Sequence, residues 1–554
     1  MKKIILSLVS TVLFNLSASG NVSATTDFLQ KDFKVTLDWL EKKPQSSAKD
    51  FFIIQYLEQE GISFENAKTA YEMGNGRNAT LKKLFNKKFQ TTAPLDLKCY
   101  RASIEQLKQE DSKCIALGLS LSEATKISKK DLKFFISKLD PYPTLKNDLE
   151  VIASNDPFNA LINSDTNRFS RIFFDTGSDY RVSTLNKIMN PEFINKISKE
   201  KDFERFLRYV VHDDKLKNLQ KSLISLKDDK SLAPHLLFSL GINAVNNNDI
   251  SSAYNFFYNA YNRSYLKVDK DKTLFWMYLV TQNNSFLVEL SKSWDSSIYT
   301  LYAKELLDVK IDNIVYNINL KNEKTSYDIY DAFKWMDVVE DTKKNLDDAK
   351  LSKYYNLFTD ETTLAHYAFV LQRYNKYQVQ YFITPFRDIV KDYDIYKQVL
   401  LYSIARQESL FIPSSISFSS AQGVMQIMPF LSLDIAKRLK EDYNIYEQFI
   451  PQTNIRYGSF HLDSLMSQFD NNPLFIAYAY NGGAGYTRTQ LKKGLFKEKN
   501  KYEPFLSMEL ISYAETREYG KKVLANYYIY NNYLNKENPI SLSTIFQSLV
   551  SPSY

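Results

Sequence analysis

At 554 residues the chain is too long for one ordinary hydrophobic core, so two or more domains are expected. A composition that is 44% hydrophobic, with 39 Tyr and 37 Phe, excludes a mainly disordered protein. The formal net charge is +7, about +5 without Lys2 and Lys3. That excess fits weak attraction to an anionic wall or membrane surface, and ordinary solubility fits it better. No Lys/Arg block is dense enough to argue for nucleic acid.

The chain opens on Met1-Lys2-Lys3, a mostly apolar run from Ile4 to Leu16, and the small-x-small site Val22-Ser23-Ala24. This is the layout of a secretory signal peptide over residues 1–24, an uncleaved anchor being the lesser alternative. No Cys stands at the cleavage point to take a lipid. No later stretch reaches ~18 uninterrupted apolar residues, so no stable membrane span is expected after signal removal. Cys99 and Cys114 are the only cysteines, a candidate disulfide in an exported protein. Two cysteines cannot build a zinc site alone, and His212, His235, His366 and His461 are scattered without ligand spacing. Neither metal nor cofactor is expected.

From Gly241 to Gly423 no glycine intervenes, and from Pro234 to Pro385 no proline. A run without either breaker reads as helix after helix joined by polar turns such as Asn247-Asn248-Asp249. Segments such as Asp50 to Gln59, Ser63 to Met73 and Ser252 to Tyr261 place apolar and small residues at helical spacing. Many short helices predict a solenoid-like α-superhelix in which each pair buries its face on the next, although no strict repeat period is found. Beyond about residue 380 the texture changes. Seven of the 14 glycines follow residue 420, where loops need unusual backbone angles. Specialised loops on a rigid scaffold are where chemistry is sought.

Residues 395–411 form a helical pattern in which Leu401, Ile404, Ala405 and Glu408 share a face. Pro413 predicts that the helix ends soon after Glu408. Partial burial and the negative end of the helix dipole would both raise the Glu408 pKa, as a general acid requires. On its own, a helix-end Glu in solvent or paired with a Lys is the commoner case. After it come Ser409, then Ser414, Ser415, Ser417, Ser419 and Ser420, then Ala421 to Pro429 with Gly423, Met425 and Gln426. Amides and hydroxyls set among apolar residues suit a sugar-binding wall, and suit an internally satisfied loop equally. Further on, Ala477 to Gly485 ends a helix in a glycine-rich loop carrying Tyr480 and Asn481, which lacks the lysine and preceding strand of a phosphate-binding loop. Glu515 and Tyr519 lie four apart on one helical face, as an ordinary surface helix also allows.

Together these pieces resemble the catalytic domain of the soluble lytic transglycosylases. The matching residues are Glu408-Ser409, Gly423 to Pro429, Ala479-Tyr480-Asn481 with Gly483, Glu515-Thr516-Arg517 with Tyr519, and Asn454-Ile455 with Gly458. The departures are Gly482, where the family has Ala, and Gly520, where it has an apolar residue. The resemblance implies a mainly α protein: an N-terminal α-superhelix followed by a C-terminal lysozyme-like α+β domain. The expected division is a superhelix over residues 25–310, a helical linker region over 311–377 and the catalytic domain over 378–554. It implies Glu408 as single acid/base, cutting between N-acetylmuramic acid and N-acetylglucosamine in peptidoglycan, with attack by the muramoyl 6-hydroxyl giving a 1,6-anhydro end. Ser417 would orient the N-acetyl group or Glu408. Gln426, Tyr480 and Asn481 would bind glycan, with Gly423, Met425, Glu515 and Tyr519 in the cleft. The expected setting is the periplasm, with peptidoglycan strands and other cell-wall enzymes as partners. A hydrolytic muramidase on the same fold and a non-catalytic wall-binding scaffold are the competing readings.

Overall fold

A computed structural model describes residues 27–550 except 31, 77, 90–96, 227–229 and 498–500. The signal-peptide expectation for residues 1–24 therefore lies outside the described residues. The described chain is mainly helical. Its one paired sheet joins the strands Ile314–Val315 and Gln380–Tyr381 in parallel. None of these helices is long and apolar enough to cross a membrane.

Local chemistry sets the helix starts. Ser46, Ser63, Asp249 and Asn472 accept from backbone N–H groups at the first turns of Ser47–Glu58, Phe64–Glu72, Ile250–Arg263 and Pro473–Gly482. Prolines open helices here rather than break them, as at Pro234, Pro429, Pro451 and Pro473. The first-turn N–H that proline lacks has no intrahelical partner in any case. The turn at Asn247-Asn248-Asp249 is real, with Asn248 at φ +61°.

Between residues 234 and 306 each helix packs mainly on its sequence neighbour, which is solenoid packing. Pro234–Asn246 and Ile250–Arg263 touch so closely that a Cβ on Gly241 would stand 2.4 Å from the Phe257 ring. The neighbouring Cys99 and Cys114 are joined by a disulfide. In the C-terminal domain the β component shrinks to the two-residue strand Gln380–Tyr381 and isolated bridges, Ile416 with Gln422 and Gln422 with Ile427.

The helical region meets the C-terminal domain at both of its ends. Near the start, Phe28 lies 5.8 Å from the Tyr446 ring and 5.1 Å from the Phe449 ring, in a core shared with Phe51, Phe52 and Phe333. Asn78 Nδ2 donates to the Phe418 carbonyl at 3.4 Å. Further along, Tyr299 and Tyr302 pack against Phe505 and Phe546 through a continuous aromatic cluster.

Candidate active site

Glu408 occupies the last turn of the helix Ile395–Ser409, which Asp394 caps by accepting from the Lys397 N–H. The middle of this helix is buried from Val399 to Ala405. It stops where Leu410 and Phe411 take left-handed angles, φ +53° and +67°, just before Pro413. Ser409 Oγ then donates to the Val424 carbonyl at 2.7 Å, tying the helix end to the next loop. One turn earlier the partly buried Arg406 donates to the Tyr381 carbonyl and to Asn526 Oδ1, at 3.1 and 2.9 Å. Sequence reading passed over Arg406, whose partners lie far away in the chain.

The Glu408 carboxyl is partly buried, and burial raises its pKa from 4.5 to about 7. The hydrogen bond from the Tyr519 hydroxyl, 2.6 Å to Oε1, pulls the other way, and the Glu515 charge adds to the rise. A carboxyl in this state is half protonated near neutrality and can give a proton and take it back.

The loop after Glu408 is held from beneath. Gly423 takes φ +77°, and a Cβ there would lie 2.2 Å from the Gln448 carbonyl and 2.6 Å from the Asn454 amide. Asn454, fully buried, accepts from the Met425 N–H at 2.7 Å and donates to the Gln422 carbonyl at 3.0 Å. Met425 is not at the cleft surface. Its side chain is fully buried under Gly458, and its carbonyl accepts from the Tyr480 hydroxyl at 2.7 Å. Gln426 commits its amide nitrogen inward, to the Ser415 and Gly423 carbonyls at 3.0 and 2.9 Å. Its amide oxygen is the end left to accept from a ligand. Ser417 Oγ accepts from the Ala421 N–H at 2.9 Å, within its own turn, and makes no bond to Glu408.

The helix end expected in the glycine-rich segment is present, but Tyr480 and Asn481 lie within the helix rather than in a loop after it. Tyr480 and Asn481 end the helix Pro473–Gly482, Gly483 makes the turn at φ +90°, and the next helix, Ala484–Lys492, begins at once. Asn481 Oδ1 accepts from Thr516 Oγ1 at 2.7 Å, which leaves the Asn481 amide hydrogens for a ligand. In the helix Ala514–Leu534, Glu515 is exposed while Tyr519 is buried and reaches back to Glu408. Gly520 has a plain cause: a Cβ there would lie 2.1 Å from the Tyr478 ring.

Two large cavities lie between the helical region and the C-terminal domain, and Glu408 lines neither. One of 1140 Å³ lies between Arg208, Tyr209 and Lys215 of the helical region and Asn481, Tyr513 and Glu515 of the C-terminal domain. The other, 1190 Å³, lies between Phe33 and Ile54 on one side and Ser419, Phe430 and Tyr446 on the other. Among the described residues no His/Cys/Asp/Glu group is arranged to hold a metal ion.

Residues 388–503 match the family model of the transglycosylase SLT domain. The match takes in Glu408, the 423–429 loop and the Tyr480-Asn481 turn, and ends before Tyr519. The soluble lytic murein transglycosylase of Escherichia coli K12 is 32% identical over 221 residues, 36% of this chain and 34% of that protein. Its Salmonella typhimurium counterpart is 29% identical over 225 residues, 37% of this chain and 34% of that protein. The aligned part thus spans about a third of the length of these curated relatives. A crystal structure of the 70 kDa soluble lytic transglycosylase of Escherichia coli aligns with 93% of this chain and 84% of its own, at 19% identity and TM-score 0.43.

Proposed function

We propose that this chain is a peptidoglycan lytic transglycosylase whose single acid/base is Glu408. The observation that carries the reading is the Glu408 carboxyl itself: pushed up to about 7 by burial and aimed by Tyr519. The SLT-domain match and the similarity to soluble lytic murein transglycosylases supply the substrate class.

In this mechanism protonated Glu408 donates to the oxygen bridging N-acetylmuramic acid and N-acetylglucosamine. The substrate's own N-acetyl group supports the cationic centre as the bond breaks. The carboxylate then takes the proton of the muramoyl 6-hydroxyl, which closes onto the anomeric carbon as a 1,6-anhydro ring. A tethered nucleophile has a high effective concentration and needs no water-activating second carboxyl. Gln426 and Asn481 present amides to the glycan, Tyr480 braces the 425 carbonyl, and Ser417 would have to turn its hydroxyl outward to meet an N-acetyl group. The division into residues 25–310, 311–377 and 378–554, an exported periplasmic setting, and a part in cell-wall turnover beside other wall enzymes belong to the same proposal.

One observation favours a second reading, hydrolysis. The Glu515 charge reaches Glu408, and a paired carboxylate is what a water-activating muramidase uses. Mass spectrometry of fragments released from purified sacculi separates the two. Anhydro ends, one water lighter than hydrolysis products and lost in Glu408→Gln, support transglycosylation. Reducing ends that vanish in both Glu408→Gln and Glu515→Gln make it a muramidase. A Glu408→Gln protein that cuts normally refutes both.

A further inference from the structure

The helix that carries Tyr519 is gripped by the helical region. Tyr299, from the helix Ile298–Leu306, donates its hydroxyl to Glu509 Oε1 at 2.5 Å. Glu509 also accepts from Lys521 Nζ at 2.8 Å, and Lys521 reaches Glu518 at 2.9 Å. Tyr299, Glu509 and Lys521 are each no more than 5% exposed. A second grip lies at His212, directly after the helix Phe203–Val211, whose Nε2 stands 2.8 Å from Arg517 Nη1. Burial, then the Arg517 charge, lowers the His212 pKa to about 4, so the ring is neutral. Its Nδ1–H donates to the Arg208 carbonyl at 3.0 Å, leaving Nε2 to accept from Arg517. The groups facing this cluster are Lys272, Glu509, Arg517, Glu518 and Lys521, with His212 and Tyr299 from the helical side.

Burying such charges costs more solvation than their attraction reliably returns, so the network is a weak source of stability and a strong setter of geometry. Arg517, Glu518 and Lys521 sit on the helix Ala514–Leu534, His212 and Glu509 bond residues of it, and Tyr299 reaches it through Glu509. A helix turns as a rigid rod, so whatever sets Arg517, Glu518 and Lys521 also sets Tyr519 between them. Tyr519 in turn holds Glu408 at 2.6 Å.

We propose that Tyr299 and His212 are positioning residues for the reaction: from the helical region they orient the Tyr519 helix, and through Tyr519 the Glu408 carboxyl. The proposal rests on the reading of Glu408 as the acid. The helical region then acts on bond cleavage itself, besides any part in binding the wall.

The test compares full-length wild type, Tyr299→Phe, His212→Gln and Glu408→Gln on a soluble peptidoglycan glycan strand, with kcat, KM and the pH profile of kcat measured for each. Tyr299→Phe loses one hydroxyl and keeps the ring, and His212→Gln keeps one donor and one acceptor. The expected result is a fall in kcat of about tenfold in either variant, with KM within about twofold. The basic limb of the profile should also move to higher pH, because a slackened Tyr519 bond lowers the Glu408 pKa less. A variant that melts earlier but keeps the wild-type kcat and basic limb overturns the proposal, as does a rise in KM alone. If Tyr299→Phe does not fold, His212→Gln gives the same readout through the other grip. An active Glu408→Gln sinks the reading of the site itself, a failure distinct from unchanged kinetics in the two positioning variants.

Discussion

The Tyr519 hydroxyl donates to Glu408 Oε1 at 2.6 Å, joining two residues 111 positions apart. Tyr519 lies fully inside the protein, where burial and the neighbouring Glu408 charge hold its own pKa well above the usual range, so it is a donor at every working pH. Its bond favours the Glu408 carboxylate and limits how far burial raises that pKa. Tyr519→Phe should therefore move the basic limb of kcat to higher pH while lowering kcat by about tenfold through lost orientation. A pH series on glycan release checks both, and a limb moving to lower pH would contradict the assignment.

Glu408→Gln should stabilise the protein at high pH while abolishing cutting. A carboxyl raised from 4.5 to about 7 binds more protons folded than unfolded between those values. Stability from this group is thus intact below the unfolded value and is lost as pH rises toward the folded one. Relative to wild type the glutamine variant should be more stable by roughly 3 kcal/mol at pH 8, with little of that difference at pH 4. Denaturant melts at the two pH values measure it.

Gly423→Ala should weaken the fold and the activity together. The φ of +77° strains any other residue, and the new Cβ would meet the Gln448 carbonyl at 2.2 Å. A loss of about 2–3 kcal/mol is expected. Asn454→Leu should lose a similar amount, because the Met425 N–H and the Gln422 carbonyl would be left buried without partners. Thermal melts beside glycan release test whether stability and rate fall together.

Cys99→Ser with Cys114→Ser should lower thermal stability and leave the kcat of glycan cleavage unchanged. The bridge closes a loop of sequence separation 15 within the helical region. Removing it frees unfolded-chain entropy worth about 3 kcal/mol. Melting with and without reductant, alongside kcat, checks this, and a fall in kcat at temperatures where the variant is folded would contradict it.

Gly520 and Met425 show where sequence reading stops. Gly520 departs from the pattern of similar domains, and nothing near it in the chain says why. The reason is the Tyr478 ring, brought against it from another helix. Met425 stands between two expected glycan contacts in the sequence, yet its side chain is core and only its carbonyl serves the site, by holding Tyr480. Asn454 looked like one matching position on a helix and proves to be the bracket under the loop.

The sequence by itself determined the helical character, the helix end just after Glu408 and the motif set of the site. Those depend on local causes: helical spacing of apolar residues, prolines and capping side chains, and glycine where the backbone turns sharply. Tertiary structure alone decided that Tyr519 aims Glu408, that Tyr299 and His212 grip the Tyr519 helix, and that Phe28 returns to pack on Phe449. These contacts join residues far apart in the chain. Their energies come from burial and hydrogen bonds that exist only once the helices have packed, so no local pattern encodes them.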